Sequence, residues 1–221
     1  MDIWHITWFT VATAAFATLL MLLPGLFLAW LLARRQFRGR VLLETLVSLP
    51  LVLPPVATGL LLLMLVAPRG PIGGVLERAG IEVVFTWKAV VLAMAVMGLP
   101  LLVRTSRAGF EQVDHRYEAV AATLGAGPLR VFLTITLPLA LPGVIAGSVL
   151  GFARALGEFG ATIMIAGSIP GATRTLAVAI YSFAETGRDA DAMHLVLVSA
   201  VIAFAALGTA NWIAARAGVR S

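Results

Sequence analysis

Few side chains in this sequence could carry out covalent chemistry. There is no cysteine, which excludes a thiol nucleophile, a disulfide framework and a cysteine metal site. His5, His115 and His194 are scattered along the chain, with no nucleophile–base pair or metal-ligand spacing. Lys88 is the single lysine, and no Gly-x-x-x-x-Gly-Lys run exists to cradle a nucleotide phosphate. The sequence therefore points to no catalytic residue, no metal and no cofactor. What remains are groups suited to binding and coupling. Arg154 and Glu158 lie four apart in an otherwise apolar stretch, on one helical face where they can pair. They either gate a path near its outer mouth or fix helix packing. Pro50, Pro54 and Pro55 interrupt a second apolar stretch, next to Thr58. Proline lacks a backbone donor and clashes with the preceding turn, so a helix kinks or breaks there. A half-helix starting at Pro55 would aim free N–H groups and the positive end of its dipole at the break. Such a break suits an oxyanion, because neutral donors bind it without a buried cation. Pro54, Pro55 and Thr58 either line such a path or merely bend the helix about its neighbours.

The elements that must position these residues are membrane helices. Of 221 residues, 60% are hydrophobic and 12% charged, about half the charged share of a soluble domain. Five stretches are long enough to span: 5–33, 44–67, 87–106, 135–157 and 191–215. The first is too long for the apolar core of a secretory signal and lacks a basic flank, since Asp2 is the only charge before it, so it is expected to stay as an anchor. The segment 159–184 holds two shorter apolar runs, Ala161–Ala166 and Leu176–Phe183, split by Gly167–Gly171. It reads as re-entrant or interfacial, or else as a sixth span. The net charge of +5 comes from basic residues between the apolar stretches, where they act as topology signals and not as a nucleic-acid surface. Arg34, Arg35, Arg38, Arg40, Arg104, Arg107, Arg116, Arg130, Arg216 and Arg220 fall on one side. Arg69, Arg78, Lys88, Arg174 and Arg188 fall on the other. The richer side is the cytoplasm by the positive-inside rule, so the N-terminus is expected outside and the C-terminus inside. Thr7, Thr10 and Thr13 are expected to bond the preceding helical turn or another helix. Trp4, Trp8, Trp87 and Trp212 read as interface anchors.

The cytoplasmic connection 107–134 is the patterned one. Val113, Tyr117, Val120 and Leu124 are spaced by four, three and four, which places them on one helical face. Gly125 is suited to end that helix, and Pro128 to begin a second one after Gly127. The result is a rigid knob, or an amphipathic helix lying on lipid.

This connection resembles the cytoplasmic signature of ABC importer permeases: Glu-Ala-Ala, three residues, Gly, nine residues, then Ile-x-Leu-Pro. Gly125 is followed by nine residues and then by Ile135, Leu137 and Pro138. Counting back, the family's Glu falls on Ala119, followed by Val120 and Ala121, while Glu118 stands one position early. Residues 40–185 resemble the molybdate branch in Ser48–Gly59, Arg69–Gly73, Phe85–Lys88, Gly151–Thr162 and Ala166–Tyr181, with Ser168 where that branch usually has Asn. Sulfate and tungstate permeases share much of this pattern.

The resemblance implies one permease domain over 1–221, all-α and integral to the inner membrane, in which 107–134 carries the coupling helix. Val113, Tyr117, Glu118, Ala119, Ala121, Leu124 and Gly125 would then serve ATPase coupling. It further implies a homodimer with the path between its copies, two ABC ATPase subunits on the cytoplasmic side, and an extracytoplasmic oxyanion-binding protein. A self-contained secondary carrier is the alternative, and it would need Arg154 or Glu158 to couple an ion gradient.

Overall fold

The computed structural model describes residues 3–218, so Asp2 and Arg220 lie outside the described residues, and the side chain of Arg216 is likewise undescribed. Four helices are long and apolar enough to cross a bilayer: α1 (Ile3–Arg34), α5 (Trp87–Glu111), the continuous helix Pro128–Leu156, and α11 (Asp189–Gly218). The third comprises α7 (Pro128–Val131), a π-turn (Phe132–Thr136) and α8 (Leu137–Leu156). A fifth apolar unit is broken into α2 (Arg40–Val52) and α3 (Pro55–Val66), bent by 115° at the proline pair. Short helices α4 (Gly73–Arg78), α6 (His115–Thr123), α9 (Gly160–Ala166) and α10 (Leu176–Glu185) complete the chain. No strand occurs among the described residues.

α5 is the centre of the packing, with Val90, Met94, Met97, Leu102, Val103 and Phe110 buried. α1 runs parallel to it: Phe16 meets Trp87, Met21 meets Gly98, and Gly25 sits against Leu102. α8 runs antiparallel to it through glycine contacts. A Cβ on Gly109 would stand 2.9 Å from the Gly143 Cα, and one on Gly147 would stand 2.8 Å from Ser106 Oγ. Gly143, Gly147 and Gly151 recur every four residues, the small-residue seam that lets membrane helices approach closely.

These contacts define two ends of the bundle. Arg34, Glu44, Arg107 and Val113 gather at one, linked by Arg34–Val113 and Glu44–Arg107 bonds of 2.9 and 2.7 Å. At the other, the Leu176 amide donates to Thr10 Oγ1 and the Phe85 amide to the Ile165 carbonyl. Ile6 packs there with Phe183, Ala192 and Leu195. Because α1 and α5 are parallel, the chain between them must return across the bundle, so the bent α2–α3 pair makes one crossing. α9 and α10 stay near the second end. Segment 159–184 is thus two short helices, each below the length needed to span. Five crossings result.

Two boundaries differ from those read in the sequence. Arg107–Glu111 continue α5 as its last turn, because Arg107 pairs with Glu111 at 2.7 Å and Gly109 and Phe110 are buried. The next long helix begins at Pro128, well before residue 135. The connection is therefore shorter than 107–134. Thr7, Thr10 and Thr13 each donate to a carbonyl four residues back, at 2.7–2.8 Å.

Candidate functional site

α6 starts where Asp114 caps it, the carboxylate accepting from the Arg116 amide at 2.8 Å. It stops at Gly125, whose φ of +82° is cheap only for glycine. The Gly125 amide donates to Ala122 and the Ala126 amide to Ala121, both at 3.0 Å, which satisfies the last carbonyls. Pro128 then opens α7. No residue of α6 is buried. Tyr117, Val120 and Leu124 are exposed, Leu124 to 82%, and Ala119 is exposed beside them, with Ala121 half-buried. An apolar face of this kind, projecting from one end of the bundle, is suited to docking.

Val113 does not belong to that face. Asp114 starts the helix after it, and Val113 is 5% exposed with its carbonyl held by Arg34 Nη2 at 2.9 Å. Glu118 also departs from expectation. One helical position corresponds to about 100° of rotation, and the carboxylate at 118 turns away from solvent. Its Oε1 accepts from the Thr136 hydroxyl at 2.6 Å and lies 3.3 Å from Arg34 Nη2. Its Oε2 lies 3.3 Å from His115 Nδ1. Arg34 Nη1 faces both ring nitrogens of His115, at 3.1 and 2.9 Å. Sequence reasoning missed Arg34, His115 and Thr136 as a group, since 81 residues separate Arg34 from His115. The one-residue offset of Glu118 was the signal that its carboxylate points elsewhere.

At the helix break, Leu53 and Pro54 are extended and α3 begins at Pro55. Pro54 and Pro55 are exposed. The Ala57 and Thr58 amides both donate to the Pro54 carbonyl, at 2.9 and 3.1 Å, so of these first amides only that of Val56 is left for the break. Thr58 does not line an open wall. It is 6% exposed, and its hydroxyl, like those of Ser106 and Thr162, is buried without a partner. α9 lies tightly along α3: a Cβ on Gly59 would stand 2.7 Å from the Ala161 Cα, and one on Gly160 2.7 Å from Pro55 Cβ.

Arg154 and Glu158 do pair, with Nη1 2.8 Å from Oε2. Glu158 is 1% exposed, and its Oε1 accepts from the Ala161 amide at 2.7 Å. The carboxylate thus joins the last turn of α8 to the first of α9. No hydrogen bond links this pair to the Thr58 hydroxyl, which has no partner. No cluster of His, Asp and Glu suited to a metal occurs among the described residues.

Residues 25–217 match the family described as the binding-protein-dependent transport system inner membrane component. The chain is 47% identical over 213 residues to the molybdenum transport system permease protein ModB of Escherichia coli, covering 96% of this chain and 93% of that protein. ModB of Haemophilus influenzae is 46% identical over 207 residues, covering 92% and 90%. ModB of Mycobacterium tuberculosis is 48% identical over 201 residues, covering 90% and 75%. Among solved structures, the inward-facing MetNI methionine ABC transporter superposes with a TM-score of 0.68 at 15% identity, covering 95% of this chain and 93% of that one. A bacterial alginate ABC transporter in complex with its alginate-bound periplasmic protein gives 0.71 at 18% identity, covering 96% and 78%. These two likenesses concern the fold, which is that of ABC importer membrane subunits. A five-crossing helical bundle, a capped helix projecting from one end and near-half identity over almost the whole length agree: this chain is a membrane protein of the binding-protein-dependent transport system inner membrane component family.

Proposed function

We propose that this chain is the permease subunit of an ATP-driven molybdate importer in the inner membrane. The observation that carries the substrate is the 46–48% identity to molybdenum permeases over nine-tenths or more of the chain. The mode of energy supply rests on two features. The chain has no phosphate-binding loop, and α6 presents Tyr117, Val120 and Leu124 unburied. We take α6 as the coupling helix of two ABC ATPase subunits. The end of the bundle carrying it is then cytoplasmic, in keeping with the positive-inside rule and with Arg34, Arg35, Arg38, Arg40, Arg104, Arg107, Arg116 and Arg130 on that side. The N-terminus lies outside, where an oxyanion-binding protein would deliver its cargo.

The path runs between two copies of the chain, with Pro54, Pro55 and the Val56 amide at the broken helix as its neutral lining. Thr58 joins that lining only when the α3–α9 seam opens. Arg154 and Glu158 hold α9 to α8 on the other side of that seam. A secondary carrier is disfavoured because the buried carboxylate of Glu158 is already committed to Arg154 and the Ala161 amide.

The test is uptake of radiolabelled molybdate into proteoliposomes holding this chain, its ATPase and its binding protein. ATP-dependent uptake that resists excess sulfate and yields to tungstate supports the assignment. Uptake abolished by sulfate moves the chain to sulfate transport, and uptake without ATP removes the ATPase partner.

A further inference from the structure

α6 has little apolar anchorage, yet a coupling helix must hold a fixed angle to pass on force. No residue of α6 is buried, so apolar packing does not fix that angle. A polar cluster does. Arg34, the last residue of α1, has a side chain only 6% exposed, and its guanidinium reaches Glu118, His115 and the Val113 carbonyl. Glu118 in turn accepts from Thr136, itself buried at the end of the π-turn. That turn is a firm post, because Phe132 at its start packs between Trp30 of α1 and Phe110 of α5, with ring centroids 5.9 and 6.2 Å away. π-turns interrupt helices at a cost and occur often at functional positions.

We propose that Glu118 is a positioning residue: it latches the coupling helix to Arg34 of α1 and Thr136 of the π-turn, so that motion of α6 drives α1 and α8 together, and it makes no contact of its own with the ATPase. This rests on the reading of α6 as the coupling helix. Charge-assisted hydrogen bonds are directional and stronger than neutral ones, which suits a joint that must not slip.

The experiment uses the full complex in proteoliposomes and reads three quantities: ATPase retained on the purified permease, ATP hydrolysed, and molybdate moved per ATP. Glu118→Ala and Arg34→Ala should each retain the ATPase while transport per ATP falls about tenfold, the weight of a hydrogen bond to a charged group. The double variant should be no worse than either single one, because both remove the same joint. Thr136→Val, which leaves the ion pair in place, should fall less, and it serves as the measurement if Arg34→Ala fails to fold. Loss of bound ATPase in Glu118→Ala but not in Arg34→Ala or Thr136→Val would overturn the latch, since Glu118 would then touch the ATPase itself. Full transport per ATP in all three variants would overturn it as well. Leu124→Asp separates the two readings: if that variant keeps its ATPase, α6 is not the coupling helix, whatever Glu118 does.

Discussion

Thr58 and Thr162 differ from the other threonines of the membrane helices. Thr7, Thr10, Thr13 and Thr18 spend their hydroxyls on carbonyls four residues back. The hydroxyls of Thr58 and Thr162 are buried with no partner, in two helices that pack closely, Gly59 against Ala161 and Gly160 against Pro55. A buried hydroxyl without a partner costs about 1–3 kcal/mol, so a static protein would gain by losing it. Thr58→Val should therefore raise the melting temperature of the detergent-solubilised chain, or leave it unchanged. If the α3–α9 seam opens during transport, the same variant should lose molybdate uptake. Wild-type uptake in Thr58→Val would remove Thr58 from the path. The Arg154–Glu158 pair is argued the opposite way. Removing one partner of a buried pair costs about 3–5 kcal/mol because it strands the other charge, and the figure is smaller here because Arg154 is partly exposed. Arg154→Gln strands the Glu158 carboxylate, whereas Glu158→Gln keeps an oxygen for the Ala161 amide and leaves Arg154 near solvent. Thermal unfolding should show Arg154→Gln as the more damaging of the two. Equal melting temperatures would mean that the ion pair contributes little to the α8–α9 joint.

At the scale of elements, α6 shows what local sequence determines. Gly125 and Pro128 were legible as stop and start signals because their backbone preferences are intrinsic and need no partner. Val113 misled the periodicity, since a helical spacing does not say where the helix begins. Asp114 decides that, as a cap, and it leaves Val113 in the core. Likewise the helical state of Arg107–Glu111 rests on the i,i+4 pair Arg107–Glu111, which is local, and on the packing of Gly109 against α8, which no local pattern encodes. The latch was illegible for the same reason, its members being drawn from three separate elements. Gly125→Ala isolates the intrinsic part. Forcing a side chain to φ of +82° costs about 1 kcal/mol, and nothing lies within 4 Å of the added methyl. The variant should therefore fold and keep its five crossings. Its cost falls on the turn between α6 and α7, so transport per ATP should drop while the melting temperature barely moves. A large fall in melting temperature with intact coupling would show instead that the turn supports the whole bundle.

For the whole molecule, α5 has two different seams, and they should respond differently to the same substitution. Against α8, backbone meets backbone: a Cβ on Gly109 would stand 2.9 Å from the Gly143 Cα, and one on Gly143 2.7 Å from the Gly109 Cα. Backbone cannot rotate away, so either alanine must push the helices apart along a seam that continues through Gly147 and Gly151. Overpacking of this kind costs about 1–3 kcal/mol. Against α1, the nearest neighbour of a Cβ on Gly25 is Leu102 Cδ2, the far end of a flexible side chain. Changing its rotamer can make room, so Gly25→Ala should cost less. Gly109→Ala and Gly143→Ala should also fail to add. Once one methyl has separated α5 from α8, the second enters space already opened, and the double variant should melt close to the worse single one. Additive losses would mean that the helices do not separate as rigid rods but yield separately at each glycine. In that case, motion delivered at Arg34 and Thr136 would dissipate along α8 before reaching the α3–α9 seam. Melting temperatures for the two singles and the double therefore test whether this bundle can rock as one body.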